Sequence, residues 1–193
     1  IAYRNNEADR PMKIATTNGN NGRKANLMIR KPKATDGAAV NELIAECKPL
    51  DENSVYCNLL QCSHFADTCV IAELNGEPVG FVSGYIVPEN PERLFIWQVA
   101  VSPKARGLKL AKSMILEILD RPICHDVTEL QTTITSSNAP SQGVFRSVAR
   151  ELETEVKRKV LFERETHFDG ASASEILWQI GPFEREDVAR VAA

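Results

Sequence analysis

The amino-acid sequence predicts a single α/β or α+β domain in which helices cover a mixed β-sheet. Strand-like and helix-like segments alternate along the chain, and Asn75-Gly76 separates two β-rich runs in the manner of a tight hairpin. Residues 94–101 form a nearly continuous apolar run, which is typical of a strand covered on both faces. A chain of 193 residues, 43% of them hydrophobic, is long enough to bury one core of this kind.

The elements before the hairpin are one strand and two helices. The strand covers residues 26–30, and Thr35 or Asp36 is suited to cap the helix that follows. The apolar positions of this first helix recur at i, i+3, i+4 and i+7, namely Val40, Leu43, Ile44 and Cys47. A loop at 49–54 then leads to a second helix over 55–62.

The hairpin and the elements after it continue the alternation. They are hairpin strands at 68–74 and 77–87, a central strand at 94–101, a helix at 108–119, a strand at 130–135, a helix at 141–151 and closing strands at 154–164 and 175–180. The predicted domain therefore spans residues 26–182. Residues 1–25, rich in Asn, Gly and charge and without the apolar stretch of a signal peptide, are predicted to be a disordered tail, and residues 183–193 a C-terminal tail.

Composition and charge exclude several classes of function. A net charge of −3 gives no electrostatic reason to expect a nucleic acid or a membrane surface as partner. No apolar run approaches the roughly 20 residues of a transmembrane helix. The five cysteines lack a C-x-x-C pair, which favours free thiols in a reducing, cytoplasmic compartment, and the three histidines lack metal-ligand spacing, so no metal is predicted.

The most informative stretch is 99–111, where a strand runs through a tight loop into a helix. Main-chain N–H groups at a helix N-terminus are unsatisfied donors in a positive field, so they suit a pyrophosphate. Lys104, Arg106 and Lys109 add positive charge there, and Gly107 lets the backbone approach a ligand closely. A strand-to-helix turn with solvated basic side chains is the alternative, and neither common nucleotide-binding glycine motif is present.

This stretch resembles the acyl-CoA-binding loop of the GCN5-related N-acetyltransferases, which follows the pattern [RQ]-x-x-G-x-[GA]. Lys104, Gly107 and Lys109 occupy the three marked positions, so only the glycine matches strictly. Residues 137–141 look like the family's second cofactor segment, with a helix cap as the alternative role of Asn138. The resemblance implies that acetyl-CoA is bound by Val99, Val101, Lys104, Ala105, Arg106, Gly107, Lys109, Leu110, Ala111, Asn138 and Ser141.

Three further segments, 49–69, 95–101 and 166–177, resemble the diaminobutyrate acetyltransferases of ectoine biosynthesis, and the similarity covers about residues 26–182. The resemblance implies a compact GNAT-like fold with a mostly antiparallel sheet. It also implies acetyl transfer to the γ-amine of L-2,4-diaminobutyrate, a step toward a compatible solute used under osmotic stress. A homodimer is expected as well, with strand 175–180 pairing across a two-fold axis.

The acceptor carries two ammonium groups and one carboxylate, so its pocket needs carboxylates. Asp51 and Glu175 are the candidates; each can bind an ammonium or accept its proton, and the sequence does not separate these roles. Trp97 suits a wall of the site or a cation contact, with core packing as the alternative. Tyr56 suits a polar contact, and His167 a base or a carboxylate ligand, with helix packing and capping as their alternatives.

A chemical mechanism follows from these candidates. An alkylamine holds its proton until a pH of roughly 10, so Glu175 or Asp51 is predicted to remove it, while a main-chain N–H near Val99 stabilises charge on the thioester oxygen. Many family members protonate the departing thiolate with a tyrosine at the position of Phe145, which has no proton to give. The alternatives are an acetyltransferase for another small amine or a peptide N-terminus, and a non-catalytic acyl-CoA-binding module, which Lys109 and Phe145 favour.

Overall fold

The computed structural model describes residues 11–16, 25–184, 186 and 188. Within them, one sheet of eight strands has the order β1-β2-β3-β4-β5-β6-β8-β7. The strands are β1 Met12–Thr16, β2 Ala25–Arg30, β3 Val70–Leu74, β4 Glu77–Ile86, β5 Arg93–Val101, β6 Glu129–Ile134, β7 Val156–Phe162 and β8 Glu175–Ile180. Neighbouring strands are antiparallel except β5 and β6, which are parallel.

Helices cover both faces of this sheet. They are α1 Gly37–Glu46, α2 Val55–Gln61, α3 Leu110–Asp120, α4 Ala139–Glu151 and the short α5 Arg164–Phe168. Successive strand residues point to opposite faces, so Phe81 of β4 joins the α1 core while Val82 joins the core of α3 and α4. No helix in the described part of the chain is both long and apolar enough to cross a membrane.

The hairpin is confirmed: Asn75 and Gly76 both have positive φ, 55° and 88°, as a two-residue turn between twisted strands requires. The strand after it contains a bulge. Ser83 pairs with Gln98 and Gly84 with Ile96, which leaves Trp97 as the extra residue of β5. A Cβ at Gly84 would lie 2.8 Å from the carbonyl oxygen of Phe95, so the bulge needs a glycine opposite it.

The central strand β5 separates from β6 at its C-terminal end. Their pairing runs only from Arg93–Glu129 to Ile96–Thr132, although β5 continues to Val101. Beyond the last pair the two strands diverge, and the space between them becomes a cleft. Val99 and Val101, predicted to bind the cofactor, lie in the part of β5 that pairs with β4 but not with β6.

The predicted elements are confirmed to within a few residues, with four corrections. The tail predicted over 1–25 contains β1, which pairs with the edge of β2; the rest of that prediction lies outside the described residues apart from Pro11 and Ala25. The prediction of a C-terminal tail over 183–193 is wrong for Phe183 and Val188. These two residues are 3% and 0% exposed because they pack into the main core.

The other two corrections concern the closing strands. The strand predicted over 154–164 ends at Phe162, because residues 164–168 form α5. Pairing of β8 across a two-fold axis is wrong, since β6 and β7 occupy both of its edges.

Candidate active site

Two adjoining cavities open in the cleft between β5 and β6. The first, here called the turn cavity, measures about 700 Å³ and lies beside the turn that precedes α3. The second, here called the acidic cavity, measures about 860 Å³ and extends to Asp51 and Glu175. Residues common to both walls are Pro49, Leu50, Val99, Asn138, Pro140 and Ser141. An elongated ligand lying in the turn cavity therefore reaches the acidic cavity past Val99.

The turn itself has a backbone shape that few residues adopt. Ser102 begins it by accepting a hydrogen bond from the main-chain N–H of Lys104, at 3.4 Å. Gly107 has φ of +82° and Lys109 has φ of +57°. A Cβ at Gly107 would meet no protein atom within 4 Å, so a larger side chain would not clash with the protein. The turn needs a glycine here because of its positive φ. Lys109 adopts the left-handed conformation despite its side chain, at a cost of roughly 1 kcal/mol.

The turn cavity fits an anionic ligand. The first N–H groups of α3, an 11-residue helix, have no intrahelical acceptor and carry the positive end of its dipole. Arg106 and Lys109 add two full positive charges to the same wall. All the residues predicted to bind the cofactor line this cavity except Lys104, which is exposed on the outer side of the turn.

Asn138 both caps a helix and borders the two cavities. Its Oδ1 accepts a hydrogen bond from the main-chain N–H of Ser141 at 3.1 Å, which fixes the start of α4. The capping interpretation is therefore confirmed, and it places Asn138 and Ser141 at the junction. Phe145, one turn further along α4, is 2% exposed and forms part of the acidic cavity's wall.

The acidic cavity brings two carboxylates from distant parts of the chain to one space. Asp51 comes from the loop between α1 and α2, and Glu175 is the first residue of β8. Burial raises the pKa of Glu175 above its ordinary value, a hydrogen bond with Thr133 opposes this, and the negative charge of Asp51 raises it further. The two carboxylates thus form a site for a ligand with more than one positive charge.

Aromatic side chains form much of the remaining wall. Trp97, the bulge residue, is 52% exposed, so it is a wall of the cavity and not part of the core. Phe162 and Phe168 line the opposite side, where their rings meet edge to face at 6.4 Å between centroids. Tyr56 lies on α2, is 70% exposed and does not line the cavity.

His167 lines the acidic cavity with a defined pattern of hydrogen bonds. Its Nδ1 accepts from the main-chain N–H of Glu163 at 3.0 Å and lies 2.8 Å from the Thr166 hydroxyl. A main-chain N–H can only donate, so Nδ1 carries no proton and the neutral ring has its proton on Nε2. This tautomer makes His167 a donor, which fits a carboxylate ligand and disfavours a base.

Sequence reasoning missed several residues of the acidic cavity. The missed side chains are Asn53, Gln98, Thr133, Phe162 and Phe168. Gln98 had a signal, since it is a polar residue inside the apolar run 94–101. Asn53 and Phe168 lie beside the candidates Asp51 and His167, so nearness in the chain was their signal. Thr133 and Phe162 carry no local signal, because only the sheet order brings β6 and β7 beside the loop of Asp51.

The geometry combines an anion-binding turn with an acid-lined pocket at its far end, as transfer from an anionic carrier to a cationic acceptor requires. A family model described as the acetyltransferase (GNAT) family matches residues 38–149. The chain belongs to this family.

The most similar relatives carry one common name. An L-2,4-diaminobutyric acid acetyltransferase from Methylotuvimicrobium alcaliphilum is 46% identical over 158 residues, which cover 82% of this chain and 92% of that protein. A protein of the same name from Vibrio cholerae is 46% identical over 153 residues, covering 79% of this chain and 88% of that protein. A diaminobutyrate acetyltransferase from Paenibacillus lautus, solved with L-2,4-diaminobutyric acid and coenzyme A, superposes with a TM-score of 0.79 at 40% identity, covering 83% of this chain and 98% of that one.

Proposed function

We propose that this protein transfers the acetyl group of acetyl-CoA to the γ-amine of L-2,4-diaminobutyrate, giving N-γ-acetyl-2,4-diaminobutyrate in ectoine biosynthesis. The observation that carries the proposal is the pairing of Asp51 and Glu175 in a cavity that adjoins an anion-binding turn. The relatives that share 40–46% identity with the chain are named for this acceptor.

On the cofactor side, this chain's task is to hold and align an acyl-CoA. Acetyl-CoA supplies an acetyl group activated as a thioester. The N–H groups that begin α3, together with Arg106 and Lys109, are placed to bind its diphosphate. Val99 and Asn138 border the junction, so we assign them to the reactive end of the carrier, with a main-chain N–H near Val99 donating to the thioester oxygen.

On the acceptor side, the two carboxylates take different roles in this proposal. Glu175 is the base, because its raised pKa makes it better matched to an ammonium proton than an exposed carboxylate is. Asp51 binds the ammonium that does not react. His167 donates from Nε2 to the substrate carboxylate, and Trp97 forms a wall against the cationic substrate.

The residue at position 145, which is often a proton-donating tyrosine in this family, cannot supply the proton for the departing thiolate. Phe145 holds a phenyl ring there, buried against the cavity wall. Water is therefore the donor in this proposal. Positioning by the two cavities then provides much of the rate, because it removes the entropic cost of bringing thioester and amine together.

We further propose that the protein is a cytoplasmic homodimer that serves under osmotic stress. The five cysteines are free thiols, as suits a reducing compartment. Val55, Tyr56 and Leu59 expose one apolar face of α2, which supports a protein contact. Analytical ultracentrifugation checks the dimer, and a sedimenting monomer at micromolar concentration would contradict it.

The proposed reaction is tested by incubating the protein with acetyl-CoA and L-2,4-diaminobutyrate and identifying the product by mass and NMR. The expected product carries one acetyl group on the γ-nitrogen, with one CoA thiol released per product. Putrescine and a peptide N-terminus serve as competing acceptors, and faster turnover of either would replace the proposed substrate. Binding of acetyl-CoA without CoA release on any acceptor would indicate a non-catalytic module.

A further inference from the structure

The side chain of Gln98, on β5, makes two hydrogen bonds to the loop that carries Asp51, one through each end of its amide. The Gln98 Nε2 donates to the main-chain oxygen of Asp51 at 2.9 Å. The Gln98 Oε1 accepts from the Asn53 Nδ2, also at 2.9 Å. One amide therefore ties two residues of the loop to the bulged strand that carries Trp97.

A second group of amides holds the same loop from the side of α1. Asn41 Nδ2 donates to the main-chain oxygen of Asn53 at 2.7 Å and to Asn58 Oδ1 at 2.9 Å. Asn58 Nδ2 in turn donates to Gln61 Oε1 at 2.8 Å. Asn58 and Gln61 are 0% and 2% exposed, so this end of the network is anchored in the protein interior.

The direction of each amide in the network is fixed by the main chain. The carbonyl oxygens of Asp51 and Asn53 can only accept, so the amide nitrogens of Gln98 and Asn41 must face them. Gln98 then presents its oxygen to Asn53, as observed. An amide network with one consistent direction has a single arrangement of donors and acceptors, which fixes how its members face one another.

Gln98 lines the acidic cavity but both ends of its amide are used inside the protein. Both amide atoms of Gln98 are oriented by the loop, so the contribution to the acceptor site that these bonds indicate is through the position of Asp51. The loop is also held by an exposed ion pair between Glu52 and Lys48. The bonds of Gln98 and Asn41 are the ones that tie it to β5 and to α1, so they help to set where the exposed Asp51 lies.

We propose that Gln98, Asn53 and Asn41 form a clamp that positions the Asp51 carboxylate for acceptor binding. These are positioning residues, and the inference rests on the proposed function, in which Asp51 binds the ammonium of the acceptor. The clamp explains why a strand that is otherwise apolar carries a glutamine next to the bulge.

The first test replaces Gln98→Met, which keeps the length of the side chain and removes both hydrogen bonds. We expect kcat/KM for L-2,4-diaminobutyrate to fall about tenfold, mainly through KM, while the Kd for acetyl-CoA stays within about twofold. Gln179→Met is the matched control, because Gln179 is also half-buried on the sheet and its side chain donates to Glu129, at 3.3 Å, away from both cavities. Equal losses in the two variants, or unchanged KM in Gln98→Met, would overturn the clamp.

A second variant guards against a simple failure to fold. Gln98→Glu keeps the size of the side chain and the acceptor for Asn53 but turns a carboxylate oxygen toward the Asp51 carbonyl. We expect a larger rise in KM for the acceptor than with Gln98→Met, again with acetyl-CoA binding retained. An acceptor KM equal to that of the unmodified protein contradicts the proposal.

A double-variant cycle separates this inference from the proposed function. If Gln98 acts through Asp51, adding Gln98→Met to Asp51→Asn changes kcat/KM by less than about twofold beyond Asp51→Asn alone. Full additivity of the two losses overturns the clamp while leaving the proposed function intact. Wild-type activity in Asp51→Asn itself would instead remove the role of Asp51 in the proposed function.

Discussion

The turn cavity and the acidic cavity adjoin each other but are built in different ways. The turn cavity takes its charge and its N–H donors from one contiguous segment, 105–112, and uses the main chain as much as the side chains. The acidic cavity takes side chains from the α1–α2 loop, β5, β6, β8 and α5. In the proposed function, a common carrier is thus held by a local feature of the fold, and a particular acceptor by side chains that only the tertiary structure brings together.

The largest expected effect comes from a substitution that disables the acidic cavity and leaves the turn cavity unchanged. Glu175→Gln keeps the shape of the side chain but cannot accept a proton, so kcat/KM for L-2,4-diaminobutyrate should fall by about 10²- to 10⁴-fold. The Kd for acetyl-CoA, measured by calorimetry, should change by less than about twofold. Glu165→Gln is the charge-matched control, since Glu165 is exposed on α5 outside both cavities. Activity in Glu175→Gln equal to that control would exclude Glu175 as the base.

The next largest effect comes from a substitution in the turn cavity that leaves the acidic cavity unchanged. Arg106→Ala should raise the Kd for acetyl-CoA by about tenfold to a hundredfold, because a charge-assisted hydrogen bond to a phosphate is lost. Lys104→Ala, on the outer side of the same turn, should raise it less than about threefold. Calorimetric titration of both variants measures the two affinities for acetyl-CoA. A larger loss of affinity in Lys104→Ala would show that Lys104, and not Arg106, binds the diphosphate.

These two predictions also show how far the sequence reaches. The turn that borders the first cavity is contiguous, so its residues could be predicted from the pattern around Gly107, and all of the predicted turn residues but Lys104 line the cavity. The rest of that wall comes from residues 47–50 and 138–147. Asp51 and Glu175 could be proposed only from a family resemblance, since they lie far apart along the chain. Gln98 and Thr133 could not be assigned, because the bulge at Trp97 and the insertion of β8 between β6 and β7 decide which side chains meet.

The same limit applies to the sheet edges. Alternation and turn residues located the strands, but hydrogen bonding of β8 on both sides depends on which strands become neighbours. Phe183, predicted to lie in a C-terminal tail, is buried in the core through tertiary contacts.

A smaller effect separates conformation from charge within the turn. Lys109 has φ of +57°, so Lys109→Gly should be more stable than Lys109→Ala by about 1 kcal/mol, since both lose the charge and only glycine adopts this φ freely. Thermal unfolding compares the stabilities, and acetyl-CoA affinity should fall equally in both. Equal unfolding temperatures would show that the turn relaxes and that the left-handed conformation has no cost there.

The smallest effect concerns the stability of the acidic cavity. The pKa of Glu175 is raised in the folded protein, so the folded state binds this proton more tightly than the unfolded state does. The resulting contribution to the free energy of unfolding is fully present below the ordinary glutamate pKa and is lost as pH rises through the folded pKa. Glu175→Gln should therefore unfold at a slightly higher temperature than the unmodified protein at pH 7. The difference should vanish at a pH below the ordinary glutamate pKa. A lower unfolding temperature at pH 7 would contradict the raised pKa.

The joint use of the two cavities is tested most directly by a crystal structure with coenzyme A and L-2,4-diaminobutyrate. The expected result places the diphosphate against the N–H groups at the start of α3, the thiol beside Val99 and Asn138, and the acceptor between Asp51 and Glu175. Coenzyme A bound away from the segment 105–112, or the acceptor bound outside the space between those two carboxylates, would contradict the account.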